Sequence, residues 1–300
     1  MIYSKILNQS RETPHDSIAL ILRIGLGAVF FIGGWSKLNQ LLRPALSDGI
    51  LASYYGTSGY VNAFFEQYLF QGPVLGSFFT EWGFLTSLST FELITGTLLL
   101  LGIAVRPLAL IYGLLLWTFV MALPVITVSG AAPEVGTYRS PALLVQARDI
   151  ALSGLFFVLF HLGPGRYSLE MPACGGRRVR EQLDWQFPGL LLRMSLALPL
   201  LVGGFFLGFS NIQSFGTPAW ILIPLGLLIL LSVQPRIIGV LAALLMVYYI
   251  GRTINLDNSL IANLNAFKRE IALLCAAIVF AWLGGGERFD WRNLKSLWHF

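Results

Sequence analysis

Residues 18–38 read IALILRIGLGAVFFIGGWSKL, and this apolar run decides the class of fold. A helix of this length can span a bilayer core of about 30 Å. Its two basic residues, Arg23 and Lys37, lie toward its ends, so no face of the helix is suited to water. The run ends in Trp-Ser-Lys without a small-residue cleavage site. We therefore predict a retained first transmembrane helix and not a signal peptide.

The composition of the whole chain is that of a membrane protein. Hydrophobic residues make up 56% of the 300 residues and charged residues only 12%, and the mean hydropathy is +0.71. A soluble domain of this size would have to expose the apolar surplus to water. The net charge is +5, and the charged residues are clustered at the edges of apolar runs. We therefore expect a lipid bilayer as partner and no nucleic acid.

Apolar runs recur along the chain and predict an all-α integral membrane protein with about eight transmembrane helices. We place these helices at 18–38, 84–103, 107–128, 143–162, 190–209, 219–234, 236–254 and 268–283. This number puts both termini on one side of the membrane, and that side receives most of the arginines and lysines. The positive-inside rule makes it cytoplasmic, so we expect a multi-pass protein of the inner (plasma) membrane with cytoplasmic N- and C-termini.

Two short turns and two arginines complete the predicted topology. Proline in Val105-Arg106-Pro107 and in Val233-Gln234-Pro235 is expected to end a helix in a tight hairpin. Arg23 and Arg193 begin helices near the inner surface, where we expect their side chains to snorkel to the lipid headgroups.

The second half of the chain repeats the first. The matched segments share residue types and spacing: Leu22-Arg23 and Gly33-Gly34 with Leu192-Arg193 and Gly203-Gly204, and Arg148-Asp149-Ile150-Ala151-Leu152 with Arg269-Glu270-Ile271-Ala272-Leu273. We predict two tandem four-helix units, at 1–170 and 190–300, joined by a basic cytoplasmic linker at 171–189. Because each unit has an even number of helices, the repeat is parallel and not inverted.

The halves differ chiefly in a long outer loop at 39–83, whose counterpart at 210–218 is short. This loop is rich in aromatic residues, namely Tyr54, Tyr55, Tyr60, Phe64, Phe65, Tyr68 and Phe70. Its pattern fits either an amphipathic helix lying at the outer interface or a compact irregular cap over the bundle. A long loop of this kind is often functional or binds a partner.

Charged side chains within apolar spans are costly, which makes each of them a candidate functional residue. Glu92 lies near the middle of the second run and needs a partner. With Lys37, Arg148 and Asp149 it forms a predicted cluster in the outer half, either a functional pocket or a purely structural ion network. We take Glu92 and Asp149 as candidate catalytic residues, and Lys37, Arg139 and Arg148 as candidate substrate-binding residues.

The second unit has Trp220 near the place of Glu92 but keeps the Arg269-Glu270 dipeptide. We therefore expect any catalytic function to lie in the first unit. Its glycines, such as Gly25, Gly33 and Gly34, are expected to serve close helix packing.

Metal and nucleotide sites have no support in the sequence. The three histidines and two cysteines have no metal-ligand spacing, and we expect Cys174 and Cys275 to be unpaired structural thiols. Neither a G-x-G-x-x-G fingerprint after a strand nor a P-loop is found. We therefore predict no metal and no covalently bound cofactor.

Short motifs in the first half resemble those of a known family. They are Leu22-Arg23-Ile24-Gly25-Leu26-Gly27, Gly33-Gly34-Trp35-Ser36-Lys37, Phe91-Glu92-Leu93-Ile94-Thr95-Gly96, and Arg148-Asp149 running to Leu162-Gly163-Pro164-Gly165. In this order and spacing the first 170 residues or so resemble the DoxX-like family. The resemblance extends especially to its DoxD branch, the small subunit of thiosulfate:quinone oxidoreductase.

The resemblance implies a membrane redox subunit, with thiosulfate oxidised outside the membrane, electrons passed to quinone, and a protein partner in a complex. The leading hypothesis is thus a quinone-linked oxidoreductase subunit that attracts a small anionic substrate. The alternative is a non-catalytic scaffold or accessory subunit of a larger respiratory or photosynthetic membrane complex. A small-anion transporter is a third hypothesis, since tandem parallel repeats also occur in transporters.

Overall fold

The computed structural model describes residues 14–55, 80–122, 142–170, 184–205, 217–286 and 290. Within those residues the regular secondary structure is entirely α-helical. The helices are α1 (Pro14–Leu41), α2 (Pro44–Tyr55), α3 (Glu81–Leu101), α4 (Val105–Ala122), α5 (Ala142–Leu162), α6 (Gln186–Phe205), α7 (Ala219–Leu230), α8 (Pro235–Thr253) and α9 (Leu260–Leu283).

Five of these helices, α1, α3, α5, α6 and α8, are long and apolar enough to cross a membrane. Helices α4 and α7 are apolar but shorter within the described residues. Helix α9 is longer, but it carries the charged run Lys268, Arg269 and Glu270. The predicted class, an all-α multi-pass membrane protein, is confirmed, and a helix is found in each of the eight predicted spans.

Helix α9 begins about two turns before its predicted start. The sequence placed the span at 268–283, whereas the helix starts at Leu260 after Ser259, whose side chain accepts a hydrogen bond from the Ala262 backbone N–H. This cap satisfies one of the free donors at a helix start. Phe267 has non-helical backbone angles and kinks the helix just before the charged run. The charged run therefore lies inside α9, not at its end.

Both predicted hairpins are present, but proline has a different place in them. Pro235 is in the first turn of α8, and Pro107 is in the first turn of α4. Proline is tolerated there because the first N–H groups of a helix have no partner within the helix. The turns are made instead by residues with positive φ, Ala104 at 51° and Ser232 at 54°.

Glycines allow α1 to approach α3 at backbone distance, as predicted. A Cβ on Gly34 would lie 2.5 Å from the backbone nitrogen of Leu93 and 2.6 Å from the carbonyl oxygen of Ser89. On the other side of α1, a Cβ on Gly25 would lie 2.8 Å from the Cβ of Cys275 in α9. Small residues thus hold α1 between α3 and α9.

The helices of the two halves have equivalent neighbours. In the first half α1 packs on α3 and α4 on α5, and in the second half α6 packs on α7 and α8 on α9. Each fourth helix also packs on the first helix of the other half, since α5 contacts α6 and α9 contacts α1. The division into two duplicated units stays a prediction, and its linker lies largely outside the described residues.

The expectation that Arg23 and Arg193 snorkel to the headgroups is wrong. Arg23 is 1% exposed, and its guanidinium donates hydrogen bonds to the carbonyl oxygens of Pro164 at 2.5 Å and Tyr167 at 2.6 Å. Arg193 is also fully buried, packed against Gly285. Arg23 therefore ties the segment that follows α5 to the third turn of α1, because a buried guanidinium needs acceptors.

The long loop predicted at 39–83 contains a helix, α2, near its start. Ile50 of α2 is buried against Leu41 of α1 and Leu85 of α3. Helix α2 therefore packs on the ends of the first two long helices. The rest of the loop, with most of its aromatic residues, lies outside the described residues.

The α1–α3 contact gives a first prediction. We expect Gly34→Ala to lower the free energy of unfolding by about 1–3 kcal/mol, because the added methyl group meets backbone atoms that cannot move aside. The measurement is the midpoint of thermal unfolding of the protein in detergent. Gly251→Ala in α8 is the matched control, since no atom lies within 4 Å of the position that its added methyl group would take. Equal midpoints for the two variants would contradict the close contact.

Candidate functional site

A cavity with about 640 Å³ of empty volume, in part open to the outside, lies among α1, α3, α4, α5 and α9, with Tyr54 of α2 at its edge. We call it the first cavity. Its apolar and aromatic lining consists of Val29, Phe30, Tyr54, Phe84, Leu85, Leu88, Leu116, Phe119 and Leu152. Its charged lining consists of Lys37, Glu92, Asp149, Lys268 and Arg269. It therefore combines a mostly apolar wall with a dense group of charges.

The predicted partner of Glu92 is Lys37. Lys37 Nζ lies 2.5 Å from Glu92 Oε2, and both side chains are almost fully buried. Lys37 Nζ also lies 5.8 Å from the centre of the Tyr54 ring, within range of a cation–π contact. Glu92 is carried by the middle of α3 and Lys37 by the C-terminal end of α1, and the Gly34 contact brings these helices together. The ion pair lowers the cost of a carboxylate within the span.

Lys268 is a member of this charged group that sequence reasoning missed. Its Nζ donates a hydrogen bond to Asn265 Oδ1 at 2.8 Å. A Cβ on Gly33 would lie 2.8 Å from Lys268 Nζ and 3.5 Å from Glu92 Oε2, so the ammonium fits beside Gly33, close to the Lys37–Glu92 pair. The sequence placed Lys268 at the end of a span. The N-cap Ser259 was the signal for an earlier helix start, which puts Lys268 inside the bundle.

Two reciprocal ion pairs join α5 to α9. Arg269 Nε donates to Asp149 Oδ1 at 3.2 Å, and Arg148 Nη2 lies 2.9 Å from Glu270 Oε1. Neighbouring residues on a helix point about 100° apart. Each Arg-acid dipeptide therefore sends one side chain toward each side of the α5–α9 contact.

This geometry changes the predicted cluster. Lys37, Glu92 and Asp149 do share one cavity, but Arg148 points to a different one. Its partner Glu270 accounts for this, because Glu270 lies on the other side of the α5–α9 contact. Arg139 lies outside the described residues.

A second cavity, with about 460 Å³ of empty volume, lies among α5, α6, α7, α8 and α9. Its lining consists of Arg148, Pro199, Leu200, Gly203, Thr217, Leu222, Met246, Tyr249, Glu270 and Leu273. Trp220, which the sequence placed near the equivalent of Glu92, is 74% exposed and is not part of this lining. The second half thus has a cavity, but it lacks a counterpart of the Lys37–Glu92 pair within the described residues.

The charge balance distinguishes the two cavities. The first cavity has three cations, Lys37, Lys268 and Arg269, against two carboxylates, Glu92 and Asp149. The second cavity has one arginine and one carboxylate. The described residues contain no group of three His, Cys, Asp or Glu side chains that could hold a metal ion. Cys275 is a free thiol, and Cys174 lies outside the described residues.

The Lys37–Glu92 pair gives a second prediction. We expect Glu92→Leu alone to destabilise the protein by about 3–5 kcal/mol, because it leaves a buried ammonium without its carboxylate. The double variant Lys37→Met, Glu92→Leu is expected to recover most of this loss, since it replaces both charges by apolar groups of similar volume. The measurement is thermal unfolding of both single variants and the double variant in detergent. Additive losses in the double variant would show that the two groups do not interact.

Comparisons with known proteins bear on the first half. Residues 18–128 match the DoxX family model, a stretch that begins in α1, contains Lys37 and Glu92, and ends before α5. No curated protein and no solved structure matches the chain. The DoxD branch and a second DoxX-like unit stay predictions. The chain is thus similar to the DoxX family over α1, α3 and α4, the helices that supply the Lys37–Glu92 pair and much of the wall of the first cavity.

Proposed function

We propose that the chain is the membrane subunit of a quinone-linked oxidoreductase of the thiosulfate:quinone type, and that the first cavity holds the quinone head group. The observation that carries this proposal is the combination of an aromatic and aliphatic wall with two lysines, Lys37 and Lys268, in the lining of one cavity. The match of residues 18–128 to the DoxX family supports it.

The residues of the first cavity fit a quinone. A quinone ring is flat, neutral and apolar, and its carbonyl oxygens only accept hydrogen bonds, so its site needs a wall of hydrocarbon and a few donors. Phe30, Phe84 and Phe119 supply aromatic wall, and the ammonium groups of Lys37 and Lys268 supply donors. A bound quinone would supply the two-electron acceptor chemistry.

Carboxylates next to these donors can supply protons. Lys37 Nζ and Glu92 Oε2 are in direct contact at 2.5 Å, so the Glu92 carboxylate, after taking up a proton from water, can pass it to a Lys37 amine that has given its own proton to the ligand. Asp149 is held by Arg269 at 3.2 Å, which keeps its carboxylate fixed in the cavity wall. In this proposal Glu92 moves protons, Lys37 and Lys268 orient the ligand, and Asp149 is positioned by Arg269.

The small anionic substrate and the source of electrons lie beyond the first cavity. Arg148 lines the second cavity and is paired there with Glu270, so it does not act together with Lys37 and Glu92 at the first cavity. Arg139 stays a sequence-based candidate. We place both termini in the cytoplasm and the chain in the inner membrane, with a partner subunit outside the membrane delivering electrons from thiosulfate.

Quinone binding is the third prediction. We expect the double variant Lys37→Met, Glu92→Leu and the single variant Lys268→Met each to weaken binding of a short-chain ubiquinone by at least about tenfold, because each removes a charged donor. The measurement is equilibrium dialysis of the radiolabelled quinone against the protein in lipid nanodiscs. Arg252→Met is the matched control, since it removes an exposed cation at the end of α8.

The same preparation tests the reaction. Protein purified gently from native membranes with its partner chains is expected to reduce the quinone when thiosulfate is added. A protein that neither binds quinone nor reduces it under these conditions overturns the proposal. If partner chains still co-purify in that case, the accessory-subunit hypothesis replaces it.

A further inference from the structure

The second half of the chain exposes large apolar side chains at one end. Among the described residues, the three most exposed of them are Leu256 at 95%, Trp220 at 74% and Leu260 at 73%. Trp220 lies in the first turn of α7, Leu256 between α8 and α9, and Leu260 at the start of α9. Because α7 and α8 are joined by the hairpin at Ser232, the start of α7 and the end of α8 lie at the same end of the bundle. We call these three side chains the apolar rim.

The turn that carries Leu256 satisfies much of its own backbone. The Asn263 side chain accepts a hydrogen bond from the Asn255 N–H at 3.0 Å and donates one to the Asn255 carbonyl oxygen at 2.8 Å. Asn255 Oδ1 accepts from the Asp257 N–H at 3.0 Å, and Ser259 Oγ accepts from the Ala262 N–H at 3.3 Å. A turn in water can leave such groups to the solvent, whereas a turn in contact with lipid needs internal partners. This turn therefore suits surroundings that are poor in water.

Charged side chains limit how deep the turn can lie in a membrane. Arg252, at the end of α8, and Asp257, next to Leu256, are both exposed. Such charges are strongly unfavourable in the hydrocarbon core but are accommodated among the headgroups. Tryptophan is enriched at the same depth, where its ring packs on hydrocarbon and its N–H finds an acceptor. The combination of apolar, aromatic and charged side chains is thus that of a surface at the membrane–water interface.

We propose that the apolar rim is a lipid-binding surface, which inserts Trp220, Leu256 and Leu260 into the boundary between the headgroups and the acyl chains. Lipid at this depth covers the apolar side chains and leaves Asp257 in contact with water. Lys268 follows Leu260 by about two turns of α9, so the rim also holds the helix that brings Lys268 to the first cavity at a fixed depth. The lipid-binding surface does not depend on the function proposed for that cavity.

The experiment measures how fast single cysteines react with a water-soluble maleimide, on the purified full-length protein in phospholipid nanodiscs. Cys174→Ser and Cys275→Ala remove the native thiols. We expect Leu256→Cys to react at least about tenfold more slowly than Asn258→Cys, because lipid excludes the reagent and disfavours the thiolate. Asn258 is the matched control, since it is also exposed and also adjoins Asp257. Equal rates would overturn the proposal, because they would show that lipid does not cover Leu256.

A photo-crosslinking residue identifies what covers the rim in native membranes. Benzoylphenylalanine in place of Leu256 is expected to form adducts with phospholipid on illumination, detected by mass spectrometry of the peptide that contains it. The same replacement of Leu244, which is 59% exposed in the middle of α8, is the positive control for contact with lipid. An adduct with another protein chain would assign the rim to a protein partner and overturn the proposal. An adduct at position 244 without one at position 256 would overturn it as well.

Discussion

The two ion pairs between α5 and α9 are the constraint on which both cavities depend. A charge inside an apolar bundle needs a partner at hydrogen-bond distance, and here each helix supplies an acid and an arginine in sequence, Arg148-Asp149 and Arg269-Glu270. Because adjacent side chains diverge by about 100°, Asp149 meets Arg269 on one side and Arg148 meets Glu270 on the other. The same contact thus fixes the α5–α9 crossing and gives each cavity one arginine and one carboxylate.

Two features then make the cavities different. In the first, α1 and α3 approach so closely at Gly34 that Lys37 and Glu92 meet across them at 2.5 Å. In the second, α7 begins only at Ala219, and Trp220, the residue near the place of Glu92, points away from the bundle. Lys268 adds a further cation to the first cavity, whereas alanine stands at the matching position 147. Similar helix packing therefore gives one charge-rich cavity and one with a single ion pair.

Much of this could be predicted from the sequence because lipid imposes simple rules. Long apolar runs predicted the helices, and the cost of a lone carboxylate in a span required a partner for Glu92, which Lys37 supplies. Contacts between residues that are far apart in the sequence could not be predicted by such rules. Arg23 finds its acceptors in Pro164 and Tyr167, far away in sequence, so a local rule assigned it to the headgroups instead. Lys268 was missed because hydropathy marks where a span becomes apolar and not where its helix begins.

The basic side chains of the first cavity bear on the quinone reduction proposed for that site. Three basic side chains face two carboxylates there, in surroundings where charges are weakly screened. A neutral acceptor that gains electrons next to Lys37 and Lys268 becomes more negative where positive charge is already in place, so its reduced form is stabilised more than its oxidised form. The second cavity has one arginine and one carboxylate, which pair with each other. The Lys37–Glu92 pair and Lys268 together thus distinguish the first cavity from the second.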